Sequence, residues 1–180
     1  MKELPSEDEM AAAVSPQDVA AMRILQGALT VGPLLFLAVT LAMPVQGPRA
    51  GVLRTELLTV LAFLTLGVWG VALVLPGARY RALARRLRES PPQDVESAYG
   101  AWIAEQRGAR ILTLALLEGS ALFGVVIVFL HRNAGVEPAQ QPELWGALVP
   151  LLAFVVHSAA TWPGPRAIAS AWRRHVLEGA

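Results

Sequence analysis

Two ionisable side chains stand inside apolar stretches of this sequence: Glu118, in Leu-Leu-Glu-Gly-Ser, and His157, in Val-Val-His-Ser. A carboxyl and an imidazole close together make a proton-exchanging or cation-holding pair, since each passes or accepts a proton near neutral pH when its surroundings shift it. A charged carboxylate in hydrocarbon costs at least ~2.5 kcal/mol, so Glu118 is expected to be protonated, paired or turned toward a wet cavity. Pairing with His157 would lower that cost, and Gln26, Thr30 and Thr113 are the polar residues expected to line such a site. The plainer expectation is a protonated Glu118 that hydrogen-bonds a neighbouring helix, with Gly119 and Ser120 allowing close approach. Hydrolysis is not expected, because these two groups leave no nucleophile-base-acid set. There is no His-x-x-x-His spacing for a metal. With no cysteine in the chain, thiolate ligands and nucleophiles are excluded as well. The reading is therefore non-enzymatic, with no catalytic residue, metal or cofactor.

The elements that must position this pair are four apolar blocks, Ala21–Met43, Leu57–Leu75, Ile111–Leu130 and Leu144–Trp162, each about 19–23 residues long. At 1.5 Å per residue such a helix crosses a hydrocarbon core of ~30 Å. Lipid offers no hydrogen bonds, so a crossing segment must satisfy its own backbone as a helix. The expected fold is all-α, a bundle of four transmembrane helices. Glu118 lies seven residues into the third span and His157 five from the end of the fourth. By helical rise they are ~10 and ~7 Å from the same side of the membrane. Pro33 and Pro150 each remove a backbone donor, so kinks are expected at both. Glu56 and Glu143, at the starts of the second and fourth spans, are read as N-terminal caps.

The blocks repeat. At an offset of 87 residues, 23–43 aligns with 110–130 and 56–86 with 143–173, giving 21 identities in 52 pairs. About one in ten would be expected by chance for this composition. Arg23/Arg110, Gly32/Gly119, Phe36/Phe123, Glu56/Glu143 and Pro76/Pro163 are among them. The bundle is thus expected to be two tandem parallel hairpins, related by an axis along the membrane normal. Val31 and Gly70 stand where the later copy has Glu118 and His157, so the hairpin as such needs neither.

Charge gives the expected topology. Of fifteen basic residues only Arg49, Arg54 and Arg132 fall in the first and third loops. The positive-inside rule then puts both termini and the middle loop in the cytoplasm, for a multi-pass protein of the cell inner (plasma) membrane. The acidic start MKELPSEDEM does not read as a signal peptide. The expected organisation is an acidic tail over 1–14, a first transmembrane hairpin over 15–88, a cytoplasmic amphipathic connector over 89–109, a second hairpin over 110–164 and a basic amphipathic tail over 165–180. Ser15-Pro16 and Ser90-Pro91 both read as helix starts. Val95, Tyr99, Trp102 and Ile103 share one helical face, and Ile168, Trp172 and Val176 another, beside Arg173 and Arg174. Both faces are expected to lie on the leaflet. Trp102, Trp145, Trp162, Trp172, Arg85 and Arg86 are the expected interfacial anchors.

The segment 114–130, LALLEGSALFGVVIVFL, resembles the carboxylate helix of rotary ATPase proteolipid (c-type) subunits through Glu118, Ala121, Leu122, Phe123, Gly124 and Val125. That resemblance implies that Glu118 is an ion-binding carboxylate. Over its whole length, and through Leu117-Glu118-Gly119 in particular, the chain resembles uncharacterised small four-helix bacterial integral membrane proteins, which implies fold and location alone. The expected role is a structural or accessory subunit of a membrane assembly, with proton- or cation-coupled translocation through Glu118 as the alternative. The expected partners are the lipid bilayer and further copies of the chain or other membrane subunits, with no nucleic acid.

Overall fold

The computed structural model describes residues 4–44, 55–136, 139 and 141–179, and among them the secondary structure is helical without a strand. Arg49 and Arg54, used above in the charge count, lie outside the described residues. Among the described residues, four helices are long and apolar enough to cross a membrane: Pro16–Ala42, Thr55–Glu89, Val95–Asn133 and Pro142–Ala160. They pack as a bundle, so the chain is an all-α, multi-pass membrane protein.

Helix α1 is Glu7–Ala13. The Glu9 amide donates to Ser6 Oγ at 3.3 Å and the Ser6 amide donates to Glu9 Oε2 at 2.8 Å, a reciprocal cap that satisfies donors at both positions. The segment expected as an acidic tail is therefore folded, with Met10 buried. Helix α2, Pro16–Ala42, starts where Ser15-Pro16 predicted, with Ser15 Oγ accepting from the Gln17 amide at 3.1 Å. Helix α3 is Thr55–Glu89 and carries Pro76 in its interior, as α2 carries Pro33.

Helix α4, Val95–Asn133, is capped by Asp94 and not by Ser90: Asp94 Oδ1 accepts from the Ser97 amide at 2.8 Å. At 39 residues it is about 58 Å long, nearly twice the hydrocarbon thickness. The expected connector over 89–109 is thus not a separate surface helix; from residue 95 it is the first part of α4. The helix stops at Gly135, whose φ of 82° is disfavoured for a side chain. There the Val136 amide donates to His131 O at 2.9 Å and the Gly135 amide to Arg132 O at 3.0 Å.

The fourth span is in two parts, a 3-10 turn over Pro142–Leu148 followed by α5, Val149–Ala160. Pro150 therefore sits in the first turn of α5, where its missing donor is not needed, instead of kinking a continuous helix. A 3-10 rise of ~2.0 Å per residue lets these 19 residues reach ~32 Å, enough to cross. Helix α6, Pro165–Trp172, runs into a π turn over Arg173–Leu177.

Contacts gather into two units. The first comprises Met1–Gln26, Ala72–Thr113 and Trp162–Ala180. It has a packed apolar core, with Met10, Met22, Trp102, Ile168, Trp172 and Val176 all at most 2% exposed. The second comprises Gly27–Val71 and Leu114–Thr161. It turns large apolar side chains outward, among them Phe63 at 74%, Leu66 at 72% and Leu152 at 67%, as a surface solvated by lipid does.

Candidate functional site

In the second unit, side chains from all four spans form a ring of contacts, joined along α4 and α5 by neighbouring residues of the same helix. Thr30 of α2 and Ser158 of α5 share a hydrogen bond of 2.7 Å between their hydroxyls. His157, next to Ser158, meets Trp69 of α3 edge to face, with ring centroids 6.3 Å apart. The Trp69 indole N–H donates to Ser120 Oγ of α4 at 3.1 Å, and Ser120 Oγ donates to Leu117 O at 2.9 Å. Two residues before Ser120, Glu118 approaches α2: its Oε1 lies 3.5 Å from where a Cβ on Gly32 would stand, a close approach without a polar partner there. In lipid a hydroxyl or an indole N–H is costly unless matched, so the Thr30–Ser158 and Trp69–Ser120 bonds favour one arrangement of the helices that carry them.

Glu118 and His157, paired in the sequence reading, both belong to this ring but hold different positions in it. Glu118 is half-buried against α2, with no hydrogen bond or ion pair to any described residue. His157 is half-buried against Trp69, while its carbonyl accepts from the Thr161 amide at 2.9 Å and Thr161 Oγ1 at 2.8 Å. Of the three residues expected to line the pair, only Thr30 is in this unit. Gln26 and Thr113 fall in the first unit, where Gln26 accepts from Arg110 and Thr113 donates to Ala72 O at 3.3 Å. Trp69, Ser120 and Ser158 had not been assigned to the site. Their signal in the sequence is weak, a lone indole and two hydroxyls in apolar runs whose partners lie on other helices.

Two further contacts fix the spans. A Cβ on Gly124 of α4 would overlap Ala147 O in the 3-10 turn, so glycine alone permits this approach. Arg132 donates to Leu41 O at 3.1 Å and Met43 O at 2.8 Å, placing a cation on the open carbonyls at the end of α2.

The first unit buries residues that the sequence pattern places on the leaflet. Trp102 and Trp172 are fully buried and meet edge to face at 5.6 Å. Trp102 Nε1 donates to Ile168 O at 3.3 Å and Trp172 Nε1 to Pro5 O at 2.9 Å. The faces Val95-Tyr99-Trp102-Ile103 and Ile168-Trp172-Val176 therefore cover protein, not the leaflet. Trp145 at 46% and Trp162 at 48% exposure do face outward, and Arg85 and Arg86 are exposed. Asp18 accepts from Tyr99 Oη at 2.5 Å and also pairs with Arg107; Arg79 pairs with Glu105. His175 packs on Tyr80 at 4.7 Å, and burial, then the charges of Arg174 and Arg81, hold its pKa below the ordinary 6.5.

The class that fold and ring define is a multi-pass four-helix membrane bundle. No family model, curated protein or solved structure matches the chain.

Proposed function

We propose that the chain is a non-enzymatic structural or accessory subunit of a membrane assembly. The observation that carries this reading is the ring itself. Thr30, Ser158, Trp69 and Ser120 are engaged with one another across the spans, the use expected of polar side chains that hold helices together. The outward apolar faces are fitted to lipid, to further copies or to other membrane subunits. The basic residues of the middle loop and the C-terminal segment support an inner-membrane orientation with both termini in the cytoplasm. Reporter fusions at Ser90 and at the C-terminus test that orientation: cytoplasmic activity at both supports it, and external activity at either rejects it.

A second reading, proton- or cation-coupled translocation, has one specific observation in its favour. Glu118 is a half-buried acid within the third span with no hydrogen-bond partner among the described residues. An intramembrane acid in that condition is a natural proton or cation ligand. Proteoliposomes under an imposed pH gradient separate the two readings. The subunit reading expects no flux above empty vesicles and an unchanged bundle in Glu118→Gln. Flux in the wild type that Glu118→Gln abolishes would replace it with translocation.

A further inference from the structure

Val14, Pro16, Val19, Ala20, Ile24 and Pro165 line an apolar groove of about 400 Å³ in the first unit, whose charged wall is Arg23. Arg23 Nε donates to Pro163 O at 2.9 Å, which fixes the plane of the guanidinium. Its two terminal nitrogens engage no described residue. Arg166, one residue beyond Pro165, is exposed and likewise makes no hydrogen bond or ion pair with a described residue. No carboxylate lines the groove, and the nearby acid of α2, Asp18, is engaged by Tyr99 and Arg107. Ile24, in the lining, is 72% exposed, and Trp162, the residue before Pro163, is 48% exposed.

We infer that this groove holds one anionic phospholipid. Arg23 stands at the start of the first apolar span, the depth at which a membrane changes from head group to hydrocarbon. A guanidinium held by its Nε presents its remaining N–H groups as a fork, the geometry that grips two phosphate oxygens at once. Arg166 supplies a second charge, and the groove beyond accepts the first methylenes of an acyl chain. Trp162 marks the interface, where an amphipathic ring is at home. A zwitterionic lipid brings a choline that two arginines repel, so the site selects net negative charge. The inference rests on the chain spanning a bilayer and is independent of whether it is a subunit or a translocator.

Native mass spectrometry of the full chain, released from nanodiscs of equal phosphatidylglycerol and phosphatidylcholine, tests it. Each cation close to a head group is worth roughly fivefold in affinity, so two give about thirtyfold. The wild type is expected to retain one phosphatidylglycerol in preference to phosphatidylcholine. Arg166→Gln, which removes no contact within the protein, should lower that retention about fivefold, and Arg23→Gln with Arg166→Gln about thirtyfold. Arg81→Gln, at an exposed arginine elsewhere in the first unit, removes the same charge as Arg166→Gln and should leave retention within about twofold. Equal retention of the two lipids by the wild type would overturn the site, as would unchanged retention in Arg166→Gln or an equal loss in Arg81→Gln. Inorganic phosphate should give no one-to-one adduct in phosphatidylcholine discs; an adduct lost in the Arg23/Arg166 double variant would reassign the site to a free anion.

Discussion

Removing the Trp172 ring decides whether the C-terminal segment folds onto protein or lies on lipid. Trp172 is completely buried, packs edge to face on Trp102 at 5.6 Å and donates its indole N–H to Pro5 O at 2.9 Å. Truncating a buried tryptophan to alanine costs about 3–5 kcal/mol. Of that, about 1 kcal/mol is the hydrogen bond to Pro5, and the edge-to-face pair contributes a similar amount. Since a whole domain is typically stable by only ~5–15 kcal/mol, Trp172→Ala should remove a large share of the first unit's stability. Trp172→Phe keeps a ring in place but loses the N–H, and about 1–2 kcal/mol is expected for it. Denaturant unfolding in a mild detergent micelle, followed by near-ultraviolet circular dichroism, reads both values. If the ring instead rested on the leaflet, the micelle would solvate either side chain alike. Both variants would then unfold within about 0.5 kcal/mol of the wild type, and the packing described here would be wrong.

Gly124→Ala should cost about 1–3 kcal/mol in the same unfolding measurement, because its methyl group overlaps the Ala147 carbonyl and a backbone must move; a neutral result would mean the 3-10 turn lies elsewhere. Asp18→Ala leaves Arg107 without its carboxylate and the Tyr99 hydroxyl, which still accepts from the Ser15 amide, without an acceptor for its own proton. As Arg107 is 41% and Asp18 21% exposed, a loss of about 1–2 kcal/mol is expected, shrinking in high salt. His175 has a folded pKa below its ordinary 6.5, so its contribution is complete above pH ~6.5 and falls as the pH drops toward the folded value. Melting temperature should accordingly decline between pH 7.5 and 5.5 in the wild type and much less in His175→Phe, which keeps the ring on Tyr80; equal slopes would remove His175 as the cause.

The spans were legible because lipid imposes a strict rule: about twenty apolar residues that satisfy their own backbone can be little else. The start of α2 was legible for a similarly local reason, a serine followed by proline. Ser6-x-x-Glu9 carried the same kind of signal for α1, and the acidic composition around it hid a folded helix. Ser90 and Asp94 are equally competent caps. The prolines at 91 and 92 hold the preceding backbone extended, which moves the start of α4 to the later one. The Val95-Tyr99-Trp102-Ile103 stripe shows the limit most clearly. Periodicity reports that a face is apolar but not what covers it, and Met10, Ile168 and Trp172 do so from elements far away in sequence. The 3-10 turn depends on Gly124, some twenty residues upstream, and no local pattern announces such a contact. Of the site, the two residues with a titratable side chain stood out in the sequence. The residues that join them into a ring did not, since a serine or tryptophan in an apolar run becomes informative only when its partner is known.

The ring of contacts is the centre of this account, and the absence of cysteine from the chain allows a clean test. The hydroxyls of Thr30 and Ser158 are 2.7 Å apart, close to the ~2.05 Å of a disulfide bond, so paired cysteines there need only a small adjustment. Thr30→Cys with Ser158→Cys, oxidised in native membranes and run on a denaturing gel before and after reduction, should give near-complete intramolecular cross-linking, with none in either single variant. An unlinked double variant that inserts and accumulates normally would show that α2 and α5 do not meet there, and the ring would be broken.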